Sequence, residues 1–225
     1  MSYFCAKYLI EMIMKKQLLA FGVGLLAAAS VSAQDLSTIQ LNTPSADRGK
    51  SIMMSLRERH SDRVFDTKEL SLQDLSDLLW AANGVNRPGE KKRTAPSAMN
   101  KQEIDLYVFT KDGVYKYDAF QNTLQPVASG DHRKLIAGAQ DFVLSAPVSL
   151  LMVADLSKFG GADEHSRTVG AADAGIVSQN INLFCAGVGL STVPRASMDQ
   201  KGLKELLKLN DTQVPMLNNP VGYPK

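Results

Sequence analysis

Residues 147–154 form a nearly continuous apolar run, Pro147, Val148, Ser149, Leu150, Leu151, Met152, Val153 and Ala154, and this run restricts the fold more than any other stretch. A strand with one wet face alternates polar and apolar side chains, whereas an unbroken apolar run of this length belongs to a strand inside a sheet. The chain must therefore build a sheet around it. Soon afterwards, residues 166–190 carry a long helical pattern rich in small residues, with Ala171, Ala172, Ala174, Ile176, Ile181, Leu183, Phe184 and Val188. Such a helix is buried on most sides.

The other elements follow from local signals. Ile52, Met53 and Leu56 share a helical spacing over 47–59, with Asp47 as the expected cap. Ser71 with Asp74 resembles a capping box, Leu72, Leu75, Leu78 and Leu79 share one face, and Gly84 stops that helix. Residues 87–99 are expected to be a loop, from two prolines, a glycine and a charged run. Ile104, Leu106 and Val108 alternate with Asp105, Tyr107 and Phe109, and Lys111-Asp112-Gly113 turns the chain into Val114–Tyr117, predicting a β-hairpin. A short helix is expected over 131–140, and Asp199 should cap an amphipathic helix carrying Leu203, Leu206 and Leu207. Residues 214–223 are extended but interrupted by prolines, which suits an edge or irregular strand. Helices first, then hairpin, helix, strand, helix and extended tail, is an α+β order with a mostly antiparallel central sheet flanked by helices.

The first 33 residues are set apart. Lys15 and Lys16 make a basic start, 18–29 is apolar, and Val31-Ser32-Ala33 offers the small residues a signal peptidase needs, so residues 1–33 are expected to be a cleaved signal peptide and 34–225 the domain. A retained membrane anchor is the other reading; the apolar run is short for a span of about 30 Å, and no stop-transfer pattern follows it. Met14-Lys15-Lys16 makes a better start than the stretch before it, which contains Glu11, so both Met1 and Met14 stand as initiators. The expected location is periplasmic or otherwise secreted, with membrane contact only through the leader before cleavage. Removing 33 of 225 residues leaves 192, a length for one domain. The leader holds three of 25 basic residues (Lys7, Lys15, Lys16) and one of 23 acidic ones (Glu11), so 22 of each remain and the formal charge falls from +2 to zero. That balance argues against a nucleic-acid partner, because phosphate neutralisation supplies most of such affinity. With Cys5 in the leader, Cys185 stands alone and forms no internal disulfide.

Several chemistries lack their motifs. There is no Walker-type loop, His-Glu-x-x-His, Cys-x-x-Cys or Gly-x-Ser-x-Gly, and His60, His132 and His165 are scattered, so no metal site is expected. Gly187-Val188-Gly189 lacks the third glycine of a dinucleotide fingerprint and follows a helix. Trp80, Tyr107, Phe109, Phe184 and Cys185 have spacings that suit core packing.

What remains is a set of short motifs. Arg59-His60-Ser61-Asp62-Arg63-Val64-Phe65 puts two guanidiniums and a hydroxyl after a helix, where they could converge on a phosphate; taken alone, the stretch reads first as a solvated helix end. It resembles the nitroreductase family's N-terminal motif position for position. Pro96-Ser97-Ala98-Met99-Asn100-Lys101-Gln102 is similar to a second motif, Gly189-Leu190-Ser191-Thr192-Val193-Pro194 to a third and Pro220-Val221-Gly222-Tyr223-Pro224 to a fourth, and together they span most of 34–225. Residues 78–87 also look like the branch containing SagB-type azoline dehydrogenases.

The resemblance implies a nitroreductase-like fold, FMN as cofactor and a homodimer acting on a small molecule such as a nitro compound or quinone. Arg59 and Ser61 would then meet the ribityl-phosphate side of FMN and Arg63 the pyrimidine edge, where a cation favours the charge gathered on reduction. His60 belongs to the same segment without a catalytic role. Pro96, Ser97 and Asn100 would come from the partner subunit or the facing edge. Around Pro194 the family often carries a Glu-Gly pair beside the flavin; here Arg195 is followed by Ala196 and Ser197, which puts the side-chain environment there in doubt. Lys225 stands where relatives continue with phosphate-binding residues. No protein acid or base is assigned, since the flavin carries the redox step. A dehydrogenase without NAD(P)H and a flavin-binding protein without turnover stay open as alternatives.

Overall fold

The computed structural model describes residues 36–225; the expected signal peptide lies outside them. The elements are β1 (Ile39–Gln40), α1 (Ile52–Glu58), α2 (Leu72–Asn83), β2 (Val85–Arg87), β3 (Lys92–Arg93), β4 (Ile104–Phe109), β5 (Gly113–Asp118), β6 (Thr123–Ser129), α3 (Arg133–Ala137), β7 (Val148–Asp155), α4 (Glu164–Val188), β8 (Ser191–Thr192), α5 (Gln200–Leu207) and β9 (Gln213–Gly222). Seven strands form one sheet in the order β1-β6-β5-β4-β7-β9-β8, and every pairing is antiparallel. The fold is α+β, as expected.

The apolar run becomes β7, and both its faces are covered. Leu150, Met152 and Ala154 point with Leu106 and Val108 of β4 into a core completed by Leu78, Leu79 and Ala82 of α2 and Val177, Ile181 and Cys185 of α4. Leu151 and Val153 point the other way with Tyr107 and Phe109, against Ile136 of α3 and Leu203 and Leu207 of α5. The two-residue alternation of a strand distributes one continuous apolar run between two cores.

Helix ends follow their capping chemistry. Ser71 accepts from Asp74 N (3.0 Å), Asp163 from Ser166 N (2.8 Å) and Asp199 from Gly202 N (3.0 Å). Gly189 ends α4 in the left-handed conformation, φ +77°, where a side chain is strained. Ser51, not Asp47, caps α1. The polar lead before α1 is instead pinned to α2, where Arg48 bridges Asp74 (2.5 Å) and Asp77 (2.8 Å).

Two further sequence expectations change, and a third is narrowed. The stretch expected to be a loop after α2 contains the small hairpin β2–β3. Strands β1 and β6 appear where none was expected, pairing Ile39 with Leu124. Of the two readings of the proline-interrupted tail, edge or irregular strand, the second holds: β9 pairs with β7 across a register shift and at its end with β8, so it lies inside the sheet. Its prolines fit because Pro215 adjoins the register shift at Met152/Val153. Asn218 turns both backbone groups away from β7, towards Arg195, and Pro220 shares its parity, so the N–H it lacks is one that would not face β7.

Since Leu150 is fully buried between β7's neighbours, Leu150→Ala is expected to cost about 3 kcal/mol of unfolding free energy, read as a lowered urea midpoint at an unchanged slope.

Candidate functional site

The segment after α1 is strapped to the opposite end of the chain. Asp62 N donates to Thr192 O (3.0 Å) and Ser191 Oγ donates to Asp62 Oδ2 (2.6 Å). Asp62 also accepts from Val64 N (3.1 Å), closing a tight turn. The Ser191 hydroxyl, opposed by partial burial, holds the Asp62 carboxyl below its usual range. Phe65 is buried with Val193 and Ala146 and bridges Pro224, while Asp66 N donates to Tyr223 O (2.9 Å). With its backbone fixed, the strap leaves its donors outward: Arg59 is half-buried, and His60, Ser61 and Arg63 are exposed. Neither guanidinium has a carboxylate partner among the described residues. His60 Nδ1 lies 2.8 Å from the Glu58 carbonyl.

Between this strap, the end of α4 and β8 lies a cavity of about 210 Å³, lined among others by His60, Asp62, Asn182, Gly189, Ser191 and Thr192. Of the expected site residues, only His60 lines it. Asp62 and Ser191, which organise it, were not singled out from sequence, because their part is to hold backbone rather than to carry charge to a ligand. Cys185 also borders this cavity, fully buried, and burial pushes its thiol pKa well up.

Pro194, Ala196 and Ser197 form an exposed turn, and no acceptor among the described residues takes the backbone N–H of Ala196 or Ser197. Arg195 between them corrects an expectation. Its side chain, 7% exposed, turns inward and donates to Gln140 Oε1 (2.8 Å), Asn218 Oδ1 (2.6 Å) and the carbonyls of Ile136 (3.1 Å) and Ala137 (3.0 Å). It holds the turn to α3 and β9 with four of its five N–H donors and faces away from the exposed turn; burial lowers its pKa.

The third segment is the turn before β4. Met99, Asn100 and Gln102 all adopt positive φ (52°, 55° and 49°), a strain of about 1 kcal/mol for each non-glycine residue. Ala98 N donates to Asp173 (2.8 Å) and Gln102 N to Ser97 Oγ (2.8 Å), and the Gln102 amide reaches Lys91 O and Asn100 Oδ1. Pro96 and Asn100 stay exposed, Ser97 half-buried. Pro96 and Ser97 line a separate, very small cavity with Asn83 and Gln102. A single chain thus does not bring this turn and the Arg59–Arg63 strap into one cavity. Lys225, the last residue, is exposed.

These groups fit FMN. Two unpaired guanidiniums and a hydroxyl suit a phosphate and a carbonyl-edged ring, and two open backbone N–H groups suit a ring nitrogen. Trp80 and Phe184, expected in the core, are half-buried beside a second groove of about 460 Å³, whereas Tyr107 and Phe109 are core.

The profile of the Nitroreductase family matches residues 56–223. A provisionally named nitroreductase of Methanocaldococcus jannaschii is 31% identical over 180 residues, 74% of this chain and 88% of its own. The FMN reductase (NAD(P)H) of Bacillus subtilis is 26% identical over 188 residues, 77% of this chain and 66% of its own. Among solved structures, a provisionally named nitroreductase from Ralstonia eutropha JMP134 superposes with a TM-score of 0.78 at 36% identity, covering 84% of this chain and 90% of the other.

Replacing Arg195 by Ala strips donors from buried carbonyls and is expected to destabilise the fold by about 3 kcal/mol; a denaturation curve indistinguishable from that of the unaltered protein would contradict the structural role given to this side chain.

Proposed function

The chain belongs to the nitroreductase family, and on that premise we propose that it is an FMN-dependent oxidoreductase that moves two electrons to a small acceptor such as a nitro compound or quinone. The observation that carries this reading is the Arg59–Arg63 strap, whose backbone is fixed by Asp62, Thr192 and Tyr223 while its cations stay outward without carboxylate partners.

When bound, FMN supplies hydride chemistry at its N5, which lets donor and acceptor be served in turn at one site. The protein's part is to bind and orient. Arg59 and Ser61 hold the phosphate side, with Lys225 adding charge, and Arg63 faces the pyrimidine edge, where a fixed cation favours reduction. The N–H groups of Ala196 and Ser197 are offered to the N5 edge from a turn that Pro194 begins and Arg195 anchors. Pro96, Ser97 and Asn100 close the site from a second copy of the chain. That arrangement accords with their separation from the strap in one chain and with an apolar face on α1, where Ile52, Met53 and Leu56 are 60%, 71% and 50% exposed. The leader features of residues 1–33 support export to an oxidising compartment.

The test is an FMN titration followed by absorbance. The unaltered protein should bind with a perturbed flavin spectrum, and Arg59→Ala with Arg63→Ala together should weaken binding by roughly 100-fold or more; no binding by the unaltered protein removes the enzyme reading. For the dimer, Met53→Glu with Leu56→Glu is expected to yield monomer in sedimentation, while an unaltered protein that sediments as a monomer at all concentrations rules the dimer out.

A further inference from the structure

Glu103 stands at the head of β4, fully buried, and neither carboxyl oxygen makes a well-formed hydrogen bond among the described residues; the donor beside it is its own backbone N–H. Within hydrogen-bonding reach of its side chain lies another carboxyl, that of Asp173 on α4, which is 5% exposed. Asp173 already accepts from Ala98 N. Two carboxylates cannot satisfy each other, but an acid and a carboxylate can, through one shared proton.

We propose that Glu103 is held protonated and donates to Asp173, and that this pair is a positioning device: it aims Asp173 at Ala98 and so fixes the strained turn that presents Ser97 and Asn100. That Ser97 and Asn100 serve a cofactor rests on the function proposed above; the protonation of Glu103 does not.

The neighbouring charges leave the pair little other choice. Lys158, from the turn after β7, lowers the Glu103 pKa slightly, but its ammonium is engaged by the Gln102 carbonyl (2.9 Å). Asp155, across the ladder, gives its N–H to the Glu103 carbonyl, and its own carboxylate accepts from Ser157. Burial, opposed by the residue's own backbone N–H and reinforced by Asp173, raises the Glu103 carboxyl to about 7. When the turn opens, that carboxyl returns towards its ordinary 4.5. The closed turn therefore binds more protons than the open one between these values. Its stabilisation is fully present below about pH 4.5 and is lost as pH rises through about 7.

The experiment uses the full chain without added FMN and follows amide exchange at Ala98, corrected for intrinsic rate, together with the infrared absorption of protonated carboxyls. Protection at Ala98 should fall by up to about tenfold per pH unit between pH 5 and 7 and then level. Glu103→Gln keeps a donor that cannot titrate, so protection should become independent of pH and a carboxylic-acid band should vanish. Asp173→Asn, whose amide can donate to an ionised Glu103, should also flatten the profile. Protection independent of pH in the unaltered protein, or the same slope in Glu103→Gln, overturns the proposal. If Glu103→Gln does not fold, the unaltered protein's acid band decides: its bleaching near pH 7 supports the pair and its absence at pH 5 sinks it. If Ala98 behaves as expected yet no FMN binds at any pH, the clamp stands and the cofactor assignment falls.

Discussion

Asn219 lies fully buried between the sheet and α4, and the shape of the site depends on how its amide is satisfied. Its Oδ1 accepts from Ser178 Oγ (2.7 Å), and its Nδ2 reaches Asn182 Oδ1 and Thr192 Oγ1, both at 3.2 Å. Thr192 in turn donates its own hydroxyl to Pro220 O (2.9 Å). Apolar packing tolerates a helix sliding along a sheet, whereas a closed chain of buried hydrogen bonds does so only by breaking. The register of α4 on β9, and with it the place of β8, is therefore set by polar contacts inside an apolar seam. Since β8 is what Asp62 grips, the strap inherits that register.

The three donor-bearing segments share one construction. Each is a short irregular stretch whose backbone is tied to a regular element: the strap to β8 and the chain end, the 194–197 turn to α3 and β9, and the 97–102 turn to α4. Their outward groups are held ready before any ligand arrives, which reduces the ordering cost of binding. The same ties decide which residues are spent. Arg195 and Asp62 sit inside the motif segments yet face the protein.

Legibility in the sequence followed the range of the interaction responsible. β4, β5 and β7 declare themselves through alternation or an unbroken apolar run, and Ser71 and Asp199 cap helices through contacts three residues away. β1 and β6 do not, because two residues at Ile39–Gln40 become a strand only by meeting Thr123 and Leu124, and β6 is interrupted by Pro126 and mostly exposed, with no apolar alternation to mark it. The Arg59–Phe65 and Pro96–Gln102 motifs could be found by resemblance, but the burial of Arg195 is decided by carbonyls nearly sixty residues earlier. Glu103 gave no local sign either, since a single acid before a strand normally stays in water.

Cys185 carries one further consequence. It is the one cysteine among the described residues, wholly enclosed, with its thiol kept in the un-ionised and hence unreactive form. A thiol introduced on the outward face of the strap or the 97–102 turn would therefore be the single exposed thiol among the described residues, a ready attachment point for spin labels and fluorophores.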